Sequence, residues 1–257
     1  MRKIFNPVRF GKLFVKHTTE HYKGYLMALG VLVGVMILGG GFLVYMIDAP
    51  LDRNTQSVLF LMILLLAGTI YTSTIFAELG EKKKAIAYLT LPASHFEKYM
   101  VAWLYSFLIF MVIYMISFYL VALFLLNVKH VPGQADGVIN LLQKPNLQIG
   151  LIYAFLHSIA FWGAVYFNKL HFIKTAFVFF VFMGLLILFN KILLEGMIGR
   201  KVDVAPPFGN LRFPDSGQQV DINLADAREN PFLFFLIVGL MFLFWIAAYY
   251  RLKEKQV

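Results

Sequence analysis

The sequence predicts an all-α integral membrane protein with six transmembrane helices. Three observations carry this reading. Apolar residues make up 60% of the 257 residues, only 14% are charged, and the mean hydropathy is +0.73, a composition outside the range of soluble domains. Six apolar runs reach the roughly 20 residues needed to cross a hydrocarbon core of about 30 Å, at 24–47, 55–77, 99–126, 147–167, 175–194 and 231–250. Lysine and arginine gather in alternate connecting segments.

That asymmetry orients the chain. With the N-terminus inside, the inner segments hold Arg2, Lys3, Arg9, Lys12, Lys16, Lys23, Lys82, Lys83, Lys84, Lys98, Lys169, Lys174, Arg251, Lys253 and Lys255, fifteen of the 23 basic residues. The outer side holds Arg53, Lys129, Lys144, Arg200, Lys201, Arg212 and Arg228, mostly in longer loops that weigh less, with Lys191 near a helix end. Both termini are expected in the cytoplasm of a bacterial inner-membrane protein. The net charge of +9 points to anionic membrane lipid as a partner and not to nucleic acid. The chain has no cysteine, which removes disulfides and thiolate chemistry. Its first apolar run starts too far in and is too long for a cleaved signal, so the N-terminus is expected to be retained.

Residues 2–23 read as an amphipathic surface helix. Asn6 stands at the N-cap and Pro7 at the first helical position; Phe10, Leu13, Phe14 and His17 recur on one face, and Arg9, Lys12, Lys16 and Lys23 occupy the other. The alternative is a basic flank without a surface role. The first span carries Gly30, Gly34 and Gly41 on one face, which suits either a subunit interface or packing within the chain.

Between the second and third spans lies Glu78–Lys98, ELGEKKKAIAYLTLPASHFEK. Glu78 and Lys82 are four apart in the favourable order, so a short helix is expected from about Glu78 to Leu89. Leu91 precedes Pro92 and ends it. Ser94-x-x-Glu97 is a capping box for the third span. The expected pattern is helix, sharp break, helix.

On the outer side, residues 127–146 include a possible short helix from Ala135 to Gln143. Residues 195–230 form either an irregular loop or a small cap with strands at Lys201–Val204 and Gln219–Leu224. Polar residues inside spans are few. His157 is expected in a hydrogen-bonded packing role, since no partner stands at ligand spacing, and Lys191 and Glu195 as a helix-end ion pair. The sequence shows no metal-ligand set, no His-Glu-x-x-His, no Gly-x-Ser-x-Gly and no phosphate-binding loop, so no catalytic residue and no cofactor are expected in this chain.

The run Glu78–Lys98, with its Leu91-Pro-Ala-Ser-x-x-Glu-Lys98 core and the following Trp103-Leu-Tyr-Ser106, resembles the segment between spans two and three of type-2 ABC transporter permeases, particularly those of Bacteroidota-like bacteria. The layout agrees, including the basic link Asn168–Thr175. The long outer segment departs from the smallest members. The resemblance implies the permease subunit of an ABC exporter that pairs with a second copy of itself or a related permease and docks a cytosolic ATPase, which would hold ATP and Mg. Residues 78–91 would be the coupling helix and 2–23 the connecting helix, with Glu78, Glu81, Lys82, Lys83, Lys84, Tyr88, Pro92, Ser94, Glu97 and Lys98 the candidate partner-binding residues. The rival reading is an integral membrane scaffold or regulatory protein without transport.

Overall fold

In a computed structural model, residues 5–47, 51–128, 137–141, 143–199, 201–202, 211–215, 218–222 and 231–255 are described. Among the described residues, six helices are long and apolar enough to cross a membrane. They are α1 (Pro7–Ile47), α2 (Arg53–Thr74), a continuous third helix over His95–Val128, α6 (Lys144–Tyr166), α7 (His171–Ile198) and α8 (Pro231–Glu254). Within the third, α4 (His95–Trp103) and α5 (Phe110–Val128) are joined by a π turn at Leu104–Ile109. A short helix α3 (Lys82–Thr90) precedes it. The all-α membrane fold read from the sequence is what forms.

The helices start and stop on local chemistry. Asn6 Oδ1 accepts from the backbone N–H of Val8 at 3.0 Å and of Arg9 at 3.4 Å, as an N-cap should. Asp52 caps α2 in the same way through Asn54 and Thr55. Gly199 closes α7 with φ +69°, its N–H returning to Glu195 O at 2.9 Å, the left-handed ending that glycine adopts without a Cβ clash. Lys191 Nζ and Glu195 Oε1 are 3.9 Å apart, the expected helix-end pair.

α6 is the central helix, packing against α2, α7 and α8, while α1 lies along α4 and α5. Glycines set the closest crossings. A Cβ on Gly68 would fall 2.4 Å from the Tyr153 ring, and one on Gly40 would meet Leu125 Cδ1 at 2.4 Å. Two apolar clusters result. One joins α1, α2, α5 and α6 around Phe60, Leu64, Tyr114 and Tyr153; the other joins the end of α2, α4, α6 and α8 around Phe76, Tyr99, Phe161 and Leu252. In the second, the Tyr99 hydroxyl donates to Trp245 O at 3.0 Å.

The structure corrects several expectations. No break divides residues 7–23 from the first span: α1 runs unbroken for 41 residues, about 62 Å at 1.5 Å per residue, because the change from amphipathic to apolar at Lys23-Gly24 contains no stop signal; residues 2–4 of the expected surface helix lie outside the described residues. The 78–89 helix is split into a 3₁₀ turn at Ala77–Gly80 and α3, with Glu81 extended between them at φ −109° and ψ 118°. Glu78 and Lys82 form no ion pair among the described residues. Among the described residues, a Cβ at Gly30 or Gly34 would meet nothing within 4 Å and one at Gly41 only Leu125, at 3.9 Å, so Gly40 supplies the close packing. Of the 135–143 helix, residues 137–141 hold none; 135, 136 and 142 lie outside the described residues. A hairpin pairs β1 (Leu211–Asp215) antiparallel with β2 (Gln218–Ile222), Leu211 opposite Ile222. The second expected strand forms at 219–222, with 223–224 outside the described residues; Lys201 and Val202 are not in a strand, and 203–204 also lie outside the described residues.

Candidate functional site

The sequence elements singled out between α2 and α5 assemble at one end of the bundle, together with the start of α1 and the end of α8. Leu91 adopts φ −53° and ψ 136°, the extended conformation imposed by Pro92, and α3 stops. Ser94 Oγ then accepts from Glu97 N–H at 3.1 Å, while Glu97 Oε2 accepts from Ser94 N–H at 2.9 Å, a complete capping box.

Glu97 does more than cap. Its carboxylate is fully buried and takes a two-pronged contact from Arg9, Nε to Oε2 at 2.6 Å and Nη2 to Oε1 at 2.8 Å, plus the Asn6 N–H at 2.8 Å. One carboxyl thus joins the start of α1 to the start of α4. Paired and hydrogen-bonded on both oxygens, the charge is compensated; without Arg9 it would be an isolated buried anion.

Lys98 supports the other side of the break. Its side chain is 2% exposed, and its ammonium donates to Leu89 O at 2.9 Å while lying 5.6 Å from the centre of the Tyr88 ring. A cation on one of the last carbonyls of α3 answers both the orphan acceptor and the negative end of the helix. Glu97 and Lys98 together hold the angle between α3 and α4.

The mount continues around the bundle end. Gly80 lies against the α6–α7 link so closely that a Cβ would sit 2.1 Å from Asn168 O. Asn168 Oδ1 in turn accepts from Lys255 Nζ at 3.1 Å, which brings in the chain's C-terminal part. Leu170 turns this link with φ +54°, the left-handed region that costs a non-glycine residue energy. Glu78 faces α1, its Oε1 3.4 Å from His21 Nε2. His21 stacks on His17, whose Nε2 meets the Tyr25 hydroxyl at 2.7 Å, and Thr18 hydrogen-bonds to Tyr105.

Against this mount, one face of α3 is left open. Lys82, Lys83, Lys84, Ala87 and Thr90 are exposed, Ile86 is 47% exposed, and Pro92 follows just beyond. Glu81, also exposed, pairs with Lys84 at 3.1 Å. The opposite face, with Ala85, Tyr88 and Leu89, packs on the second apolar cluster. The ten residues read as partner contacts therefore divide. Glu81, Lys82, Lys83, Lys84 and Pro92 are on the outside; Tyr88, Ser94, Glu97 and Lys98 are turned into the chain, and Glu78 toward α1.

His157, flagged alone in the fourth span, is fully buried and satisfied. Trp245 Nε1–H donates to its Nδ1 at 3.3 Å, so Nε2 carries the proton and donates to Ser106 Oγ at 3.0 Å; the Ser106 hydroxyl in turn donates to Ala102 O at 2.8 Å. Tyr153 donates to Ser106 O at 3.1 Å within the π turn. This ring is packed and hydrogen-bonded as expected of a structural histidine.

Residue-level reading found the capping box, the proline break and the Asn6 cap. It did not find the Arg9 clamp, the Gly80–Asn168 contact or the His21–Glu78 pair. The one available signal was that Arg9 and Glu97 are opposite charges beside two helix caps. No protein-family model, curated protein or solved structure matches the chain.

Proposed function

We propose that this chain is the membrane-spanning subunit of an ATP-driven ABC exporter, with α3 as the coupling helix that docks a separate cytosolic ATPase. The observation that carries this reading is the open face of α3: three consecutive lysines with Ile86 beside them, on a helix braced from behind by Glu97, Lys98 and the α6–α7 link. A partner that pushes on this face pushes on α1, α4 and the α6–α7 link together. ATP, Mg and hydrolysis belong to the partner; this chain supplies the two-state pathway that the partner biases. The basic end faces the cytoplasm of the inner membrane, and two permease subunits enclose the route, with the Gly30 and Gly34 face of α1 open to a second copy.

The test is co-expression with the neighbouring genes and purification in mild detergent. An ATPase carrying a phosphate-binding loop should co-elute, and K82E/K83E/K84E should release it while the variant remains folded. A chain that purifies without an ATPase from every such preparation would overturn the transporter reading in favour of a membrane scaffold.

A further inference from the structure

Among the described residues, three buried polar atoms lack hydrogen-bond partners: His95 Nδ1 at the start of α4, Arg251 Nε on the last turn of α8 and His171 Nδ1 on the first residue of α7. The last two belong to one cationic cluster. A buried N–H without a partner carries a desolvation penalty that a bound acceptor would relieve.

The surroundings specify what kind of acceptor. Arg251 Cζ lies 5.1 Å from the centre of the Tyr166 ring, and Lys174 Nζ lies 5.8 Å from that of Phe167; the two rings meet edge to face at 5.2 Å. Lys255 follows one turn after Arg251, and burial together with Arg251 holds its ammonium below the ordinary lysine value. His171 stands one turn before Lys174 on α7. The carboxylate found against these cations among the described residues is Glu254, 3.0 Å from Arg251 Nη1 and largely exposed, and Lys255 has Asn168 Oδ1. Three cations with one solvent-facing carboxylate leave an excess of positive charge around an unused guanidinium N–H. That is the recognition chemistry of a phosphate monoanion.

Depth decides its source. The cluster lies where two spanning helices end, and the next turn of α7 continues with Phe177, 68% exposed, and Val178, 47% exposed, on a helix that buries little but Thr175. We infer that Arg251, Lys174, Lys255 and His171 form a headgroup site for one anionic phospholipid, with the phosphate accepting from Arg251 Nε and the acyl chains running along Phe177 and Val178. The site gives a place to the anionic-lipid partner expected from net charge, and it stands whether or not an ATPase docks on α3.

Native mass spectrometry of the purified full chain, titrated with phosphatidylglycerol and with phosphatidylcholine, tests it. Phosphatidylglycerol should bind about tenfold more tightly than phosphatidylcholine, and R251Q/K255Q should remove that preference. R251K, which keeps the charge but lacks the planar N–H fork, should also weaken it several-fold, whereas K12Q/K23Q, an equal charge loss on α1, should leave it within about twofold. Equal loss in K12Q/K23Q, or full retention in R251K, would mean diffuse attraction to a basic surface and overturn the site. Complete displacement by inorganic phosphate would mark a free-anion site and overturn the lipid assignment. If R251Q/K255Q does not fold, K174Q, on an exposed side chain, answers the same question.

Discussion

At the scale of single residues, Glu97 is the position on which most depends. Four polar contacts from Arg9, Asn6 and Ser94 converge on one fully buried carboxylate. Removing the carboxylate strands Arg9 and leaves the Ser94 N–H, half of the capping box of α4, without its acceptor. Losing one partner of a buried pair costs about 3–5 kcal/mol, and because Arg9 keeps some contact with solvent the lower end applies, so Glu97→Ala should destabilise by about 3 kcal/mol. Glu97→Gln keeps an acceptor for Ser94 and should lose less. Thermal unfolding in detergent measures both, and equal stability of E97A and wild type would show that the clamp contributes nothing. His157 makes a contrasting case. Its ring accepts from Trp245 and faces Ser106, so His157→Leu leaves one buried N–H unanswered and should cost about 1–3 kcal/mol. A structural ring lowers the melting temperature while any ATPase activity of the assembled complex survives at matched folded fraction; loss of activity in a fully folded H157L would assign the ring a working role.

At the scale of elements, α3 is presented by contacts at both of its ends. Gly80 admits Asn168 O where any side chain would collide, and Lys98 satisfies Leu89 O at the other end. Gly80→Ala should therefore push the turn at 77–80 away from the α6–α7 link, and Lys98→Met should free the last turn of α3 while keeping its apolar stem. Both variants should speed hydrogen exchange across 82–90 and trypsin cleavage at Lys82, Lys83 and Lys84, with α6 unaffected; unchanged protection would mean that α3 does not depend on its mount. These two contacts also show what a sequence displays. The proline break and the Ser94–Glu97 box are reactions of a backbone with its near neighbours, so spacing reveals them. Gly80 and Asn168, or Arg9 and Glu97 at 88 residues' separation, meet only because helices dock, and no spacing records that. The unbroken α1 and the absence of a strand at Lys201–Val202 have a local origin instead. Composition changes at Lys23 without any residue that stops a helix, and alternation at Lys201–Val204 is too short to distinguish a strand from a turn.

At the scale of the whole molecule, six apolar runs are legible because a bilayer leaves backbone groups no partner but the helix itself, which ties length and hydropathy to structure more tightly than in water. What the runs cannot show is that α1, α3, α4, the α6–α7 link and the end of α8 form one connected layer. The contacts Arg9–Glu97, His21–Glu78, Gly80–Asn168 and Asn168–Lys255 make a chain across it. If that layer moves as a unit when α3 is driven, joining two of its parts covalently should cost the motion little. His21 and Glu78 approach to 3.4 Å, and the absence of native cysteine makes an introduced pair unambiguous. If an ATPase docks on α3 as proposed, H21C/E78C bridged by a short bifunctional methanethiosulfonate, which spans the reach of the two native side chains, should keep at least about half of the ATP hydrolysis rate of its reduced form, because a bridge between parts that never separate removes little freedom. Near-complete loss on bridging, restored by reduction, would show that α1 must part from the 77–80 turn in each cycle, and the connected layer would then be one state of the basic end and not the body that transmits force.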